Sequence, residues 1–244
     1  MLVLLPPSET KASGGGGAPL DFDALSFPEL TPVRRKLADA LVDLARDVPA
    51  SLAALDLSER QADEVARNAA LFESPTMPAL LRYTGVLYDA LGFGSFSRAQ
   101  QRRAGGRLAV ASALFGVVRA GDPIPAYRCS GDSALPGIGS LAQVWRPVLE
   151  PALASDELVV DLRSGAYANL AKLPAAVTVR VVTERAGKRI SVSHFNKAYK
   201  GQLARALALA PREPRGVAAV LRVARAAGLT VEQTGERALE MVTG

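Results

Sequence analysis

The sequence predicts a mixed α/β (α+β) fold, a single compact domain over residues 1–244 with a central mixed sheet flanked by helices. Three observations predict it. Leu2–Leu5 reads as a short, buried apolar strand, and Leu158–Leu162 as a strand apolar except for Asp161. Leu37, Leu41 and Leu44 recur at helical spacing and read as one buried stripe of a helix. Strands and helices do not alternate strictly, which argues against a pure β-α repeat. The composition agrees: 49% of residues are hydrophobic but only 5% aromatic, so Ala, Val and Leu build the interior, as suits helices packed on a sheet.

Along the chain, Leu2–Leu5 is the first strand and Pro6-Pro7 stops it. Gly14–Gly17 is a loop, since four glycines cost too much backbone entropy inside an element; no Gly-Lys-Ser/Thr follows, which excludes a Walker-type phosphate loop. Thr31 with Pro32 reads as N-cap and N1 of a helix, and Ser58 with Gln61 as a capping box opening a helix over 59–72. Between Pro78 and Leu91 the pattern fits either a strand at Leu80–Tyr83 turning at Gly85 or a helix through Leu91. Ser97 caps an Arg-rich helix that Gly105-Gly106 ends, and Leu108–Ala113 reads as a strand. Residues 119–139 carry three prolines and four glycines, and a loop of that length in a compact domain signals function. Gln143–Ala154 is helical around Trp145 and interrupted near Pro147 and Pro151. Val177–Thr183 and Arg189–Ser193 flank Ala186-Gly187 as a hairpin. Helices follow over Asn196–Ala210 and 214–227, then a strand pair at Leu229–Thr234 and Ala238–Val242.

The net charge of +5 and isoelectric point near 9.6 are unevenly spread. Residues 38–64 carry seven acids against two bases; 92–121 carry Arg98, Arg102, Arg103, Arg107 and Arg119 with no acid; 185–225 carry ten bases against Glu213 alone. Such segregation predicts a one-sided basic surface that draws phosphates. One cysteine, Cys129, excludes an internal disulfide, and with His194 as the one histidine a nitrogen/sulfur metal site has too few ligands. No carboxylate cluster has calcium spacing, so neither metal nor cofactor is expected. A Cys129–His194 dyad joins unrelated segments, and no Gly-x-Ser-x-Gly elbow presents a serine to His194. The N-terminus has no basic region and too short an apolar run for a signal peptide or membrane span, which points to a cytoplasmic protein with no membrane partner.

Three segments carry candidate chemistry. Leu135-Pro-Gly-Ile-Gly-Ser140 is a Pro-Gly-x-Gly turn before a helix; its glycines Gly137 and Gly139 would aim backbone N–H groups at a phosphate, as in helix-hairpin-helix DNA modules, although the residues before it do not look like the first helix. On the proline-stiffened arm Arg119 to Arg128, Asp122 could hold one guanidinium while the other faces an anion. In His194-Phe-Asn-Lys-Ala-Tyr-Lys-Gly201, Asn196 caps a helix, and Lys197 and Lys200 share a face that an anion between them would explain.

Several ordered runs carry a family likeness: Tyr83-Thr-Gly-Val-Leu-Tyr-Asp-Ala-Leu91, Ala111-Ser-Ala-Leu-Phe-Gly-Val-Val-Arg-Ala-Gly-Asp122, Pro125-Ala-Tyr-Arg128, Val160-Asp-Leu-Arg-Ser-Gly-Ala-Tyr167 and Phe195-Asn-Lys-Ala-Tyr-Lys-Gly201. Together with the opening Pro7-Ser-Glu-Thr10, they resemble the YaaA (peroxide stress protein) family over residues 1 to about 210. The resemblance implies a basic cleft, duplex DNA binding, and a role in surviving peroxide by limiting iron-driven damage. Its matched polar positions are Thr10, Gly85, Tyr88, Arg119, Asp122, Tyr127, Arg128, Ser164, Tyr167, Lys197 and Gly201. The family's first-turn lysine aligns with Glu9, with Lys11 close by; the lysine before Gly85 is Thr84; the arginine before Gly201 is Lys200, which keeps charge but loses the bidentate fork.

Two functions follow as expectations. The first is a DNA-binding protein contacting phosphates through Arg119, Arg128, Lys197 and Lys200 with Gly137 and Gly139, salt-dependent and weakly sequence-specific. The second is an enzyme acting on a nucleotide or small phosphorylated substrate, because Tyr88, Asp122, Tyr127, Ser164, Tyr167 and Lys197, with Thr10 in the same polar cluster, suit a compact polar pocket with the arginines at its mouth. A basic face meeting an acidic protein partner is a third, weaker expectation. Convergence of these residues in one cavity would favour a small ligand; a strip along an open groove would favour nucleic acid.

Overall fold

The computed structural model describes the backbone of residues 1–185, 188–190 and 193–243, and their side chains except at 185, 188 and 193–195. Its centre is β1 (Leu2–Leu5), whose four residues are all buried. An apolar strand without alternation must be covered on both faces, and β1 lies between β3 (Leu108–Ser112) and β6 (Val159–Asp161), parallel to both. β7 (Val177–Arg185) continues parallel beyond β6, and β10 (Ala238–Thr243) parallel beyond β7. Antiparallel strands close the two edges: β4 (Gly116–Arg119) on β3, and β9 (Val231–Gly235) on β10. The spatial order is β4-β3-β1-β6-β7-β10-β9, with β8 (Lys188–Ile190) antiparallel on the far end of β7. A small separate ladder pairs β2 (Met77–Pro78) with β5 (Pro123–Ile124). The mixed sheet expected from the sequence is present.

Connectivity decides where a ligand could enter. From β1 the chain proceeds to β3 on one side, whereas from β6 it proceeds to β7 on the other. The loops leaving the carboxyl ends of these two neighbouring strands therefore diverge and open a crevice, the switch point of an open α/β sheet.

Around the sheet lie α1 (Thr31–Leu44), α2 (Val48–Ala54), α3 (Ala62–Ala69), α4 (Ala79–Arg82), α5 (Val86–Leu91), α6 (Arg98–Arg107), α7 (Leu141–Leu153), α8 (Gly165–Ala168), α9 (Ser193–Leu209) and α10 (Val217–Ala226). None of the described helices is long and apolar enough to cross a membrane. α5 and α9 approach closely at Gly201, where a Cβ would overlap the Leu87 carbonyl and sit 2.8 Å from Ala90 Cβ. That contact fixes α9 against the switch point.

Several element boundaries differ from the sequence reading. Leu30, not Thr31, is the cap position of α1, and the Thr31 hydroxyl has no partner. Gln61 does return its side chain to the Ser58 N–H, but the segment opens as a 3-10 turn before α3 and ends at Ala69. The ambiguous stretch before Leu91 is neither alternative alone: α4 and α5 are separate helices broken at Gly85, whose φ of 100° is left-handed. α6 runs through Gly105-Gly106 to Arg107, whose guanidinium reaches the carbonyls of Leu207, Ala208 and Ala210 and ties α6 to the end of α9. α7 continues through Pro147 and Pro151, because both lie on the exposed face where the carbonyls they strip of a donor can be hydrated. α9 begins at Ser193, so Asn196 lies within its first turn instead of capping it. The strands of the expected hairpin pair as β7 and β8; its turn, Ala186-Gly187, lies outside the described residues.

Candidate functional site

The chain leaving β1 turns over the carboxyl edge of the sheet. Ser8 Oγ and Thr10 Oγ1 lie 3.1 Å apart, and Thr84 Oγ1 donates to Thr10 Oγ1 at 3.2 Å. Gly85 lets the segment before α5 pass beside these hydroxyls; a side chain there would be strained by its φ. Lys11 pairs with Tyr83 by an isolated bridge, and its side chain folds back under the turn. The ammonium donates to the carbonyls of Ser8 (3.1 Å) and Glu9 (3.4 Å) and faces the rings of Tyr127 and Tyr83, 4.2 and 5.4 Å from their centroids. Only 8% of the residue is exposed. Burial pulls its pKa down from 10.5 to about 8, with the Glu9 carboxylate opposing the shift and the Arg128 guanidinium adding to it.

Beneath Lys11 is a cluster of tyrosines. The Tyr127 hydroxyl sits between Tyr83 Oη (2.8 Å) and Ser112 Oγ (2.7 Å), and Ser112, at the end of β3, also accepts the Phe115 N–H at 2.9 Å. Tyr88 stacks on Tyr83 with centroids 5.5 Å apart and donates to the Pro6 carbonyl at 2.8 Å, which anchors the chain as it leaves β1. Tyr167 on α8 accepts the Gly131 N–H at 3.2 Å. Burial raises the pKa of Tyr83 to about 12 and pushes those of Tyr88, Tyr127 and Tyr167 up as well, so all four phenols stay protonated.

Arg128 comes to this cluster on a clamped backbone. The Asn68 amide accepts its N–H at 2.7 Å and donates to its carbonyl at 2.8 Å. The guanidinium meets the Glu9 carboxylate at 3.4 Å, while its buried Nε has no hydrogen-bond partner. The adjoining Cys129 is buried, and its thiol is pushed up to about 12, so it is an inert packing residue and not a thiolate. The side chain of His194, the other half of the disfavoured dyad, is outside the described residues.

Across the crevice, the turn after β6 frames a cavity of about 260 Å³ lined by Asp161, Arg163, Ser164, Arg180, Asn196 and Lys200, among others. Arg163 grips Asp161 at 2.8–2.9 Å through Nη2 and Nε. Lys200 reaches from α9 to the carbonyls of Leu162 (2.8 Å) and Arg163 (3.2 Å), and burial lowers its pKa against the pull of Asp161. Ser164 is exposed at its rim. Because Leu4 is in register with Asp161, the two turns lie side by side at the end of the sheet.

The structure thus gathers Thr10, Tyr88, Tyr127, Arg128 and Tyr167 on one side of the crevice and Ser164 and Lys200 on the other. It does not bring the rest along. Arg119 pairs with Ala109 near the start of β3, and its guanidinium donates to the Gly106 carbonyl and lies over Phe27, at the opposite end from Ser112. The expectation that Asp122 holds a guanidinium is corrected. Its carboxylate accepts the Arg119 and Ser26 N–H groups and the Ser26 hydroxyl, because an aspartate at that turn is closer to backbone donors than to the Arg119 fork. Lys197 and Lys200 do not share a face, since Lys200 turns inward to the β6 turn and its cavity while Lys197 is exposed. Gly137 and Gly139 both have left-handed φ, in a turn closed by the Leu135–Gly139 bridge ahead of Ser140, which caps α7. No helix precedes that turn, so the helix-hairpin-helix arrangement is absent.

Much of the basic charge also has a structural task. Buried Arg34, Arg82 and Arg107 donate to backbone carbonyls, and Arg103 joins Arg107 at the end of α9. Sequence reasoning underrated Lys11 and left out Glu9, Asn68 and Ser112 as site residues. One available signal was aromatic: of only five tyrosines in the chain, Tyr83, Tyr88, Tyr127 and Tyr167 gather here. Among the described residues no three His, Cys, Asp or Glu groups are placed to hold a metal ion.

An open, largely parallel sheet with a polar, tyrosine-floored crevice at its switch point defines an open-sheet α/β protein. Comparison with known families then gives its kinship: the family described as peroxide stress protein YaaA matches residues 1–233, and the chain belongs to that family. It is 52% identical over 238 residues to a UPF0246 protein of Corynebacterium efficiens, covering 95% of each chain. It is 47% identical over 239 residues to a UPF0246 protein of Streptomyces coelicolor, covering 95% of this chain and 92% of the relative. A Campylobacter jejuni protein shares 29% identity over 211 residues.

Proposed function

We propose that this member of the peroxide stress family, acting in the cytoplasm, binds a small phosphate-bearing ligand such as a nucleotide in the crevice between the β1 and β6 turns. The observation that carries the reading is convergence. Lys11 and Arg128 from one side and Lys200 from the other face the same edge of the sheet, on buried or half-buried positions where charge is weakly screened. Glu9, Glu64 and Asp161 are the carboxylates that interact with them, and since Arg67 pairs with Glu64 and Arg163 with Asp161, positive charge is in excess. Tyr167, whose hydroxyl accepts the Gly131 N–H, has its own proton to donate to an ester or ring oxygen. Calorimetric titration with a nucleoside monophosphate, a nucleoside and inorganic phosphate tests it. The expected outcome is binding that needs the phosphate and weakens about tenfold in Lys200→Met, the loss of roughly one charge-assisted contact. Equal affinity for nucleoside and nucleotide would overturn the reading.

Duplex DNA is a second reading, favoured by one observation: exposed Arg180 lines the Lys200 cavity, and exposed Lys197 follows Asn196 of that lining in the chain, so the two could meet successive phosphates. Labelled duplex titrated at rising salt separates the two. A steep loss of affinity with salt, further weakened by Lys197→Ala, supports the DNA track; affinity unchanged between low and physiological salt removes it.

A further inference from the structure

Lys11 is buried and cationic, yet the usual partner of such a group is engaged elsewhere. The nearby carboxylate of Glu9 is held by Arg128 at 3.4 Å, and the Lys11 amine meets two carbonyls of its own turn and two aromatic faces. A lysine desolvated over an apolar floor and placed beside a second cation is the arrangement that makes an amine nucleophilic at ordinary pH. Glu9 and Thr10, which lie over it, are exposed, so an incoming group need only displace the Ser8 and Glu9 carbonyls to meet Nζ.

We propose that Lys11 is a nucleophile whose Nζ condenses with the carbonyl carbon of a phosphorylated aldehyde or ketone, the phosphate being held by Arg128 in place of the Glu9 carboxylate. The assignment rests on the phosphate-site reading above. In the step, the free amine's lone pair forms the C–N bond, and the carbonyl oxygen takes a proton as the amine gives one up, leaving a carbinolamine. The C–O bond then breaks, water departs with a second proton from nitrogen or solvent, and an imine remains. One amine and one carbonyl become one imine and one water, with no oxidant or reductant required. Burial assists the first step, because about half of Lys11 is free amine near pH 8, whereas an exposed lysine is almost wholly charged there. Tyr127, held at its hydroxyl by Tyr83 and Ser112, fixes the ring on which the amine rests.

Pyridoxal 5′-phosphate, used only as a phosphorylated aldehyde probe, tests both parts on the full chain. The protein is incubated with it at pH 8, reduced with borohydride, digested, and mapped by mass spectrometry. The proposal expects Lys11 to carry at least about tenfold more label than the exposed Lys36, Lys172 and Lys197, and inorganic phosphate to suppress that label. Label distributed over the exposed lysines with Lys11 unmodified overturns the nucleophile. Lys11 labelled equally by pyridoxal, which lacks the phosphate, and indifferent to added phosphate leaves the nucleophile standing and overturns the phosphate site. Because the wild-type protein is mapped directly, the result does not depend on any variant folding.

Discussion

The Lys11 ammonium lies 4.2 Å from the centre of the Tyr127 ring, and the hydroxyl of that ring is held between Tyr83 and Ser112. One aromatic side chain thus ties the turn after β1, the end of α4 and the end of β3 into a single rigid floor. Tyr127→Phe keeps the ring but leaves Tyr83 Oη without its partner and Ser112 Oγ with only the Phe115 N–H. The expected cost is about 1–3 kcal/mol, read as a lower urea midpoint with unchanged slope. An unchanged midpoint would show that the hydroxyl chain contributes nothing to stability.

The buried amine makes stability depend on pH in a defined direction. Lys11 titrates near 8 in the fold against 10.5 in the unfolded chain, so between those values the unfolded state binds more protons and stability rises with pH. Below about pH 8 the full penalty is present. Lys11→Met should therefore be more stable than wild type at pH 7, by an amount of order 3 kcal/mol at most, and the gain should fade as pH approaches 10.5. Urea midpoints of both proteins at pH 7 and 10 check this; a difference constant with pH would contradict the buried-amine account.

Gly201 sits where α9 touches α5, and an added methyl would overlap the Leu87 carbonyl and press on Ala90. Gly201→Ala should force the helices apart at a cost of about 1–3 kcal/mol, despite alanine's better helix propensity. Since Lys200 adjoins the contact, ligand affinity should fall with stability. A stabilised Gly201→Ala would mean that the helices are free to separate.

Asn68 and Arg119 give opposite expectations. Asn68→Ala strips both the N–H and the carbonyl of Arg128 of their partners, which should cost about 2 kcal/mol or more and weaken phosphate binding by misplacing the guanidinium. Arg119→Ala acts at the other end of β3 and should leave binding of the small phosphate ligand unchanged. Calorimetry on the two variants decides; equal losses would place Arg119 in the site after all.

The legible parts of the fold were those in which local chemistry and burial agree. The uninterrupted apolar run Leu2–Leu5 could only be a strand covered on both faces, and the alternating segments near the C-terminus could only pair. Helix boundaries were less legible because tertiary anchors overrode local signals: Arg107 holds the last turn of α6 on α9 through two glycines. Of the site, the Tyr88, Tyr127, Arg128 and Tyr167 positions were visible through the ordered motifs. The separation of Arg119 from Arg128 was not. The arm between them carries the chain from one end of the sheet back to the other, a fact of strand direction that spacing along the chain does not record.

By itself, the amino-acid sequence determined the material: an Ala/Val/Leu interior, a mixed sheet, an excess of positive charge, and a family kinship carried by ordered motifs. Only the tertiary structure decided which charges are available to a ligand. Arg34, Arg82 and Arg107 look like any other cations in the sequence, but folding points them at buried carbonyls that would otherwise lack donors. Lys11 looks like a solvated lysine, but folding lays it on two tyrosine rings while Arg128 holds the neighbouring carboxylate. The physical reason is that charge availability depends on partners and desolvation, and both are set by segments far apart in the chain.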